Sequence, residues 1–215
     1  MANTNSPAHT LFKFGDMKVE ILQGSILKPG VPVDAVVSTD DNYMTMGSGV
    51  AALLRKHAGA IEYVREAQDK CPVKAGSVVV TQSYGLKDLL NVDYVLHGAV
   101  IDYDTDVLSL PDLVEQTTAN CLEQAEVLGL RSVPEAKRRG LRSILFPAFA
   151  TGSGKLSMED CARRMCNAIK AYVGRERPLK SIYIMLYLPD AADAKTTSAD
   201  LAERSALNER PERAP

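Results

Sequence analysis

Residues 33 to 59 read VDAVVSTDDNYMTMGSGVAALLRKHAG, and the reading of this stretch decides the fold. An apolar run, Ala35 to Val37, ends in a polar cluster, Ser38 to Asn42. Gly47 and Gly49 then open a segment in which Val50, Leu53, Leu54 and His57 recur at helical spacing and Gly59 closes the helix. The order is strand, loop, helix. At the start of such a helix the backbone N–H groups lack intrahelical acceptors and the helix dipole favours negative charge, so anions are the natural guests. Gly47 and Gly49 let a ligand approach the backbone closely. Taken alone, a G-x-G pattern of this kind also suits an ordinary connection in an α/β domain.

A second segment repeats the pattern. Residues 146 to 157, FPAFATGSGKLS, again give a strand end, a small-residue loop with Gly152 and Gly154, and a helix start. If both loops lie at one edge of the sheet, their backbone donors grip a diphosphate from two sides, with Thr151, Ser153 and Lys155 adding hydroxyl and cationic contacts. The pair Gly154-Lys155 invites comparison with a P-loop, but that motif needs glycine where Phe149 stands and Ser or Thr where Leu156 stands.

The rest of the chain fits around these two loops. Residues 1 to 9 read as a flexible arm, and Leu11 to Phe14 and Val19 to Leu22 as a hairpin turning at Gly15 and Asp16. Gly24, Pro29, Gly30 and Pro32 punctuate the next loop, where Ser25 and Ile26 can fold over the end of the following strand. Ile61, Val64 and Ala67 mark a second helix ending before Pro72, and Ser77 to Thr81 and Val92 to Ile101 are strands joined by Tyr84 to Leu90. Pro111 starts a longer helix with the stripe Leu113, Val114, Thr117, Cys121, Ala125 and Leu128. Residues 129 to 140 form an exposed basic insertion before the strand Arg142 to Phe146. Ser157 and Asp160 form a capping box for a helix with Met158, Ala162, Met165, Ile169 and Tyr172 on one face, and Ser181 to Leu188 is the last strand. Residues 190 to 215 carry too few large aliphatic side chains for a core and read as a mobile tail. Strands alternating with helices after a hairpin predict a three-layer α/β/α sandwich around a mixed, mostly parallel sheet over residues 10 to 189. Ligands of such sheets sit beyond the carboxyl ends of the strands.

Composition narrows the function classes. The 215 residues are 46% hydrophobic, enough to bury a full core in one domain. Twenty-five basic against 27 acidic side chains leave a net charge of -2, so nucleic-acid binding is not indicated. The four cysteines and three histidines show no metal-ligand spacing, and the cysteines read as buried thiols of a reducing compartment. The first thirty residues lack a leader pattern and no apolar run approaches eighteen residues, which points to a cytoplasmic protein without a membrane span. His97, inside an apolar strand, reads as a core histidine, and His57 as a helix-end residue. The oligomeric state is not legible.

Together the segments VDAVVSTDDNYMTMGSGVAALLRKHAG, DYVLHGAV and FPAFATGSGKLS resemble the macro domains, a family of ADP-ribose-binding modules and ADP-ribosyl hydrolases, from about Lys18 to Leu188. The resemblance implies ADP-ribose, free or attached to a macromolecule, as the ligand, with no cofactor. It implies that Gly47, Ser48, Gly49 and Val50, with Thr151, Gly152, Ser153, Gly154 and Lys155, bind the diphosphate, and that Asp41 or Asn42 holds the distal ribose. Three positions depart from the family pattern. Ser38-Thr39-Asp40-Asp41 stands where Asn-Ala-Ala-Asn is usual, placing carboxylates near the ribose. Gly24-Ser25-Ile26 replaces Gly-Asp-Ile, whose Asp contacts adenine. Ala51 stands where hydrolases of the family carry an acid after the valine. Tyr187 either flanks the adenine or is a simple rim aromatic. The expected function is ADP-ribose binding; the alternatives are a hydrolase of ADP-ribosyl or O-acetyl-ADP-ribose linkages that uses Asp41 as its acid, and a scaffold or sensor for another nucleotide. Asp40 and Asp41 have a further reading as carboxylates that bond loop N–H groups and shape the turn. If strand alternation holds to the end, only one of the two faces the ligand.

Overall fold

The computed structural model describes residues 10–59, 61–104, 108–131, 141–152, 154–173 and 178–187, without the side chains of 130 and 131. The N-terminal arm, Ser153, Leu188, the greater part of the basic insertion and the C-terminal tail therefore lie outside the described residues. The elements are β1 (Thr10–Phe14), β2 (Met17–Gly24), β3 (Ala35–Asp41), α1 (Gly49–Ala58), α2 (Ile61–Gln68), β4 (Val78–Gln82), α3 (Leu86–Leu90), β5 (Tyr94–Ile101), α4 (Leu110–Arg131), β6 (Ser143–Pro147), α5 (Met158–Val173) and β7 (Ser181–Tyr187).

The strands form one seven-stranded sheet in the order β1-β2-β7-β6-β3-β5-β4. The five central strands run parallel, and β1 and β4 pair antiparallel at the two edges. One face packs against α4 and α5 through Val114, Cys121, Leu122, Ala125, Met165 and Ile169. The other packs against α1, α2 and α3 through Ala51, Leu54, Tyr63, Ala67, Leu86 and Leu90. This is the three-layer sandwich expected from the alternation of strands and helices.

Alternation within β3 and β5 decides what each face receives. Ala35 and Val37 join the α4/α5 core, and Val36 joins the other. The carboxylate of Asp34 pins the start of β6 to the start of β3, since its Oδ2 accepts from the N–H groups of Arg142 and Ser143, each at 2.8 Å, and from the Ser143 hydroxyl at 2.9 Å. The Ser143 hydroxyl oxygen accepts in return from Asp34 N–H at 3.0 Å.

Several local expectations are corrected. The face of α5 is rotated: Cys161, Met165, Ala168, Ile169 and Tyr172 are buried, whereas Met158 and Ala162 are exposed. The first turn of that helix is held by the Ser157 cap, whose hydroxyl oxygen accepts from Asp160 N–H at 3.0 Å, so Met158 is left at the rim. In α2 the buried pair is Tyr63 and Ala67, and Ile61 is exposed. The connection from Tyr84 to Leu90 contains a helix, α3, which buries Leu86 and Leu90. Cys166 is exposed and Cys71 half-buried, so only Cys121 and Cys161 are buried thiols. Among the described residues no helix is long and apolar enough to cross a membrane, and no group of three His, Cys, Asp or Glu could hold a metal ion.

Candidate functional site

Because β2, β7, β6, β3 and β5 are parallel neighbours, the loops that follow them all emerge at one edge of the sheet. The two glycine loops follow β3 and β6, which are adjacent. Ser25 follows β2 and Tyr187 ends β7, on one side of the loop pair; Asn42 and the turn after β5 lie on the other.

The polar cluster at the end of β3 builds the first loop. A register shift between Asp40 and Asp41 breaks the strand alternation, and both carboxylates turn to the loop instead of pointing to opposite sides. Asp41 Oδ1 accepts from Tyr43 N–H at 2.8 Å and from Thr45 N–H at 3.3 Å, and Oδ2 accepts from the Thr45 hydroxyl. Asp40 Oδ1 accepts from Asp41 N–H and Met46 N–H, both at 3.0 Å. Met44 and Met46 take left-handed backbone angles, φ 52° and 50°, which ordinary side chains seldom adopt. Both side chains are fully buried in the α1/α2 core, so their apolar burial and the two carboxylate acceptors together fix the strained turn. Arg55 on α1 adds longer bonds to the carbonyls of Thr45 and Met46.

What this loop delivers is the N-terminus of α1. Ser48 occupies the cap position in extended conformation without a side-chain hydrogen bond to the helix, and the first turn carries no acid. Gly49 sits at φ 57° with open space where a side chain would stand, and Val50 is half-buried beside it. Ala51, in contrast, points its methyl group into the core at 2% exposure.

The second loop is a self-bonded turn. Lys155 N–H donates to Gly152 O and Leu156 N–H to Ala150 O, both at 3.0 Å, and the Thr151 hydroxyl donates to Ala148 O at 3.3 Å. Gly154 is required, because a Cβ there would lie 2.7 Å from Ala150 O, whereas at Gly152 it would meet nothing within 4 Å. Lys155 is exposed.

The flanking positions divide. Asn42 is buried, donating from Nδ2 to Asp104 at 2.6 Å and accepting from Tyr103 N–H at 3.2 Å. The Tyr43 hydroxyl donates to the same Asp104 at 2.7 Å. Asn42 therefore ties the β3 loop to the turn after β5. Ser25 and Ile26 are both buried, Ile26 within the core and Ser25 with its hydroxyl oxygen accepting from Leu27 N–H at 3.4 Å. Tyr187 is half exposed at the rim. Sequence reasoning missed the plug formed by Met44 and Met46 and the link to Asp104. Two methionines spaced by two in a polar run were the available signal for the plug; nothing near Asn42 announces a partner 62 residues away.

Beneath the first loop, Ser38, Asp40, Tyr63, Thr81 and His97 are buried on one face of the sheet. Burial pushes the Asp40 carboxyl up to about 7, against the lowering effect of its bonds from Met46 and Asp41 N–H, and the neighbouring Asp41 adds to the rise. Burial pushes His97 down to about 3, with a smaller push from Lys70. Its Nε2 and the Thr81 hydroxyl share a 3.0 Å hydrogen bond. His97 is a core histidine, and His57 an exposed helix-end residue with Nδ1 3.0 Å from Leu53 O.

The macro domain family model matches residues 37–165. The chain belongs to the macro domain family. An uncharacterised protein of Saccharolobus solfataricus is 30% identical over 183 residues, covering 82% of this chain and 89% of the relative. Among solved structures, the Oceanobacillus iheyensis macrodomain with ADP superposes with a TM-score of 0.69 at 17% identity, over 94% of this chain and 100% of that one. The Trypanosoma brucei macrodomain in complex with ADP-ribose gives a TM-score of 0.62 at 19% identity, over 85% of this chain and 68% of that one. At these identities the structures establish the fold of this macro domain: a mixed seven-stranded sheet between two helical layers.

Proposed function

We propose that this macro domain binds ADP-ribose, free or attached to a macromolecule, with its diphosphate between residues 47–50 and 151–155. The observation that carries the reading is the pairing of two glycine loops on adjacent parallel strands, the first leading into a helix whose first turn carries no acid. The ligands named for the Oceanobacillus and Trypanosoma macrodomains, ADP and ADP-ribose, support the same choice. Open space at Gly152 supports a close approach of phosphate oxygens, and the exposed Lys155 supplies a cation to the same loop.

Binding is favoured over hydrolysis. Ala51 cannot move a proton, and the Asp41 oxygens already accept from Tyr43 and Thr45. In this reading Asp41 shapes the loop and does not activate water. Calorimetry with ADP-ribose and AMP tests it: ADP-ribose binds more tightly and raises the melting temperature with dose. The absence of both heat and thermal shift at millimolar ADP-ribose overturns the proposal. Release of ADP-ribose from a mono-ADP-ribosylated protein in a single-turnover assay would overturn the choice of binding over hydrolysis.

A further inference from the structure

The face of the sheet under the first loop holds a set of buried polar groups. Ser38 and Asp40 are alternate residues of β3, Ser38 lies directly opposite His97 of β5, and the Tyr63 ring of α2 sits 5.3 Å from that of His97. Ser38 Oγ, Asp40 Oδ2, Tyr63 Oη and His97 Nδ1 are buried with no hydrogen-bond partner. Leaving such atoms unpaired is costly, and a carboxylate oxygen is the costliest of them. Adding a proton changes the account, because a neutral carboxyl sheds the charge that burial opposes and gains an O–H that can donate toward this acceptor-bearing face.

The other oxygen of the same carboxyl is tied to the ligand loop. Asp40 Oδ1 accepts from Met46 N–H, the residue directly before Gly47. We propose that Asp40, on the buried face that also carries Ser38, Tyr63 and His97, is a buried proton-binding site that couples ADP-ribose binding to the uptake of a proton. This rests on the binding reading above. An anionic diphosphate at the loop disfavours a second negative charge beneath it, so the ligand prefers the neutral carboxyl, and by linkage the proton prefers the liganded protein.

The surroundings give the site its working range. The titratable and charged groups that face Asp40 are Asp41 on its own strand, Tyr63 on α2 and Cys71 after α2, with Arg55 of α1 against the loop carbonyls; His97 on β5 lies farther along the same face, opposite Ser38 and beside Lys70. Burial is the main cause that raises Asp40, Tyr63 and Cys71; the Asp41 charge adds to the rise of Asp40, and the Asp40 charge adds to that of Tyr63 and Cys71. His97 stays neutral above about pH 3. Asp40, pushed up to about 7 in the free protein, is the group of this cluster that changes charge near neutral pH. The diphosphate diester of ADP-ribose keeps both of its charges from pH 6 to 9, so it does not imitate the effect.

The test is titration calorimetry of the full chain with ADP-ribose between pH 6 and 9, in buffers of different ionisation enthalpy, on the wild type and Asp40→Asn. The wild type takes up a proton on binding and loses affinity with a slope approaching tenfold per pH unit above neutrality. Asp40→Asn binds with no net proton uptake and a flat profile. Equal proton uptake by both proteins, or none by either, overturns the coupling. Carbon-13 NMR of the ligand-free carboxyls reads the site separately: a midpoint near 7 that vanishes in Asp40→Asn supports it, and a midpoint near 4 overturns it. A protein with the NMR midpoint near 7 but no ADP-ribose binding at any pH overturns the binding reading and the coupling, while the buried acid stands.

Discussion

Gly98 of β5 lies so close to Thr117 of α4 that a Cβ on the glycine would sit 2.4 Å from the threonine Cγ2. The glycine of the segment DYVLHGAV therefore sets how closely α4 approaches the sheet. Thr117 is fully buried and, being β-branched, has little rotamer freedom in a helix with which to make room. Gly98→Ala should destabilise the fold by about 1 to 3 kcal/mol through overpacking. Urea unfolding followed by circular dichroism measures it, and an unchanged midpoint would contradict the packing.

Asp41→Ala removes the acceptor for two backbone N–H groups and one hydroxyl of the first loop. These donors are only partly buried, so each lost bond costs about 0.5 to 1.5 kcal/mol, and the freed loop must be ordered again when ligand binds. ADP-ribose affinity should fall by about tenfold or more, with Asp41→Asn falling less because its Oδ1 still accepts. Calorimetry on both variants checks the ranking, and equal loss in the two would argue for a direct role of the charge.

Gly152→Glu adds a side chain where nothing stands within 4 Å, and Gly152 does not need a left-handed backbone. The fold should tolerate it, with a melting temperature close to that of the wild type. The carboxylate would project into the place assigned to the diphosphate and oppose its charge. Binding of ADP-ribose should be lost, and a folded variant of unchanged affinity would displace the second loop from the site.

Asp40 and His97 pull stability in opposite directions with pH. For Asp40 the folded value, about 7, exceeds the ordinary 3.8. The folded state therefore holds a proton that the unfolded chain has lost, and stability declines as pH rises from about 4 to 7. For His97 the folded value, about 3, lies below the ordinary 6.5, so stability declines as pH falls through that interval. Asp40→Asn should gain about 4 kcal/mol over the wild type between pH 4 and pH 8. A His97→Gln variant should lose stability relative to the wild type as pH rises from 4 to about 6.5. Urea midpoints across pH 4 to 8 read both slopes, and a parallel course for Asp40→Asn and wild type would remove Asp40 as the group responsible.

The layers, the parallel core and both glycine loops were legible because they rest on local signals: apolar runs of strand length, helical stripes, and glycines at turns. The capping box at Ser157 and Asp160 was legible for the same reason, since its partners lie three residues apart. The α5 face was misread by a fraction of a turn because Met158 is apolar but sits in the exposed first turn, while Cys161 and Ala168 bury as readily as larger residues. Asp40 and Asp41 defeated strand alternation because the register shift falls between them. Asn42 with Asp104, and Gly98 with Thr117, are contacts between distant segments that no local pattern encodes.

Asp34 reaches across 109 residues to hold Ser143. The two halves of the candidate site are thus made at different times during synthesis: the first glycine loop leaves the ribosome about a hundred residues before the second. Closing so long a segment is slow compared with forming a helix or a hairpin. A nascent chain that ends before β6 carries half a cleft, with the edge of β3 still waiting for its neighbour. Capture of ADP-ribose by ribosome-bound chains of increasing length would then mark the moment at which the sheet closes, and the ligand becomes a reporter of completed folding.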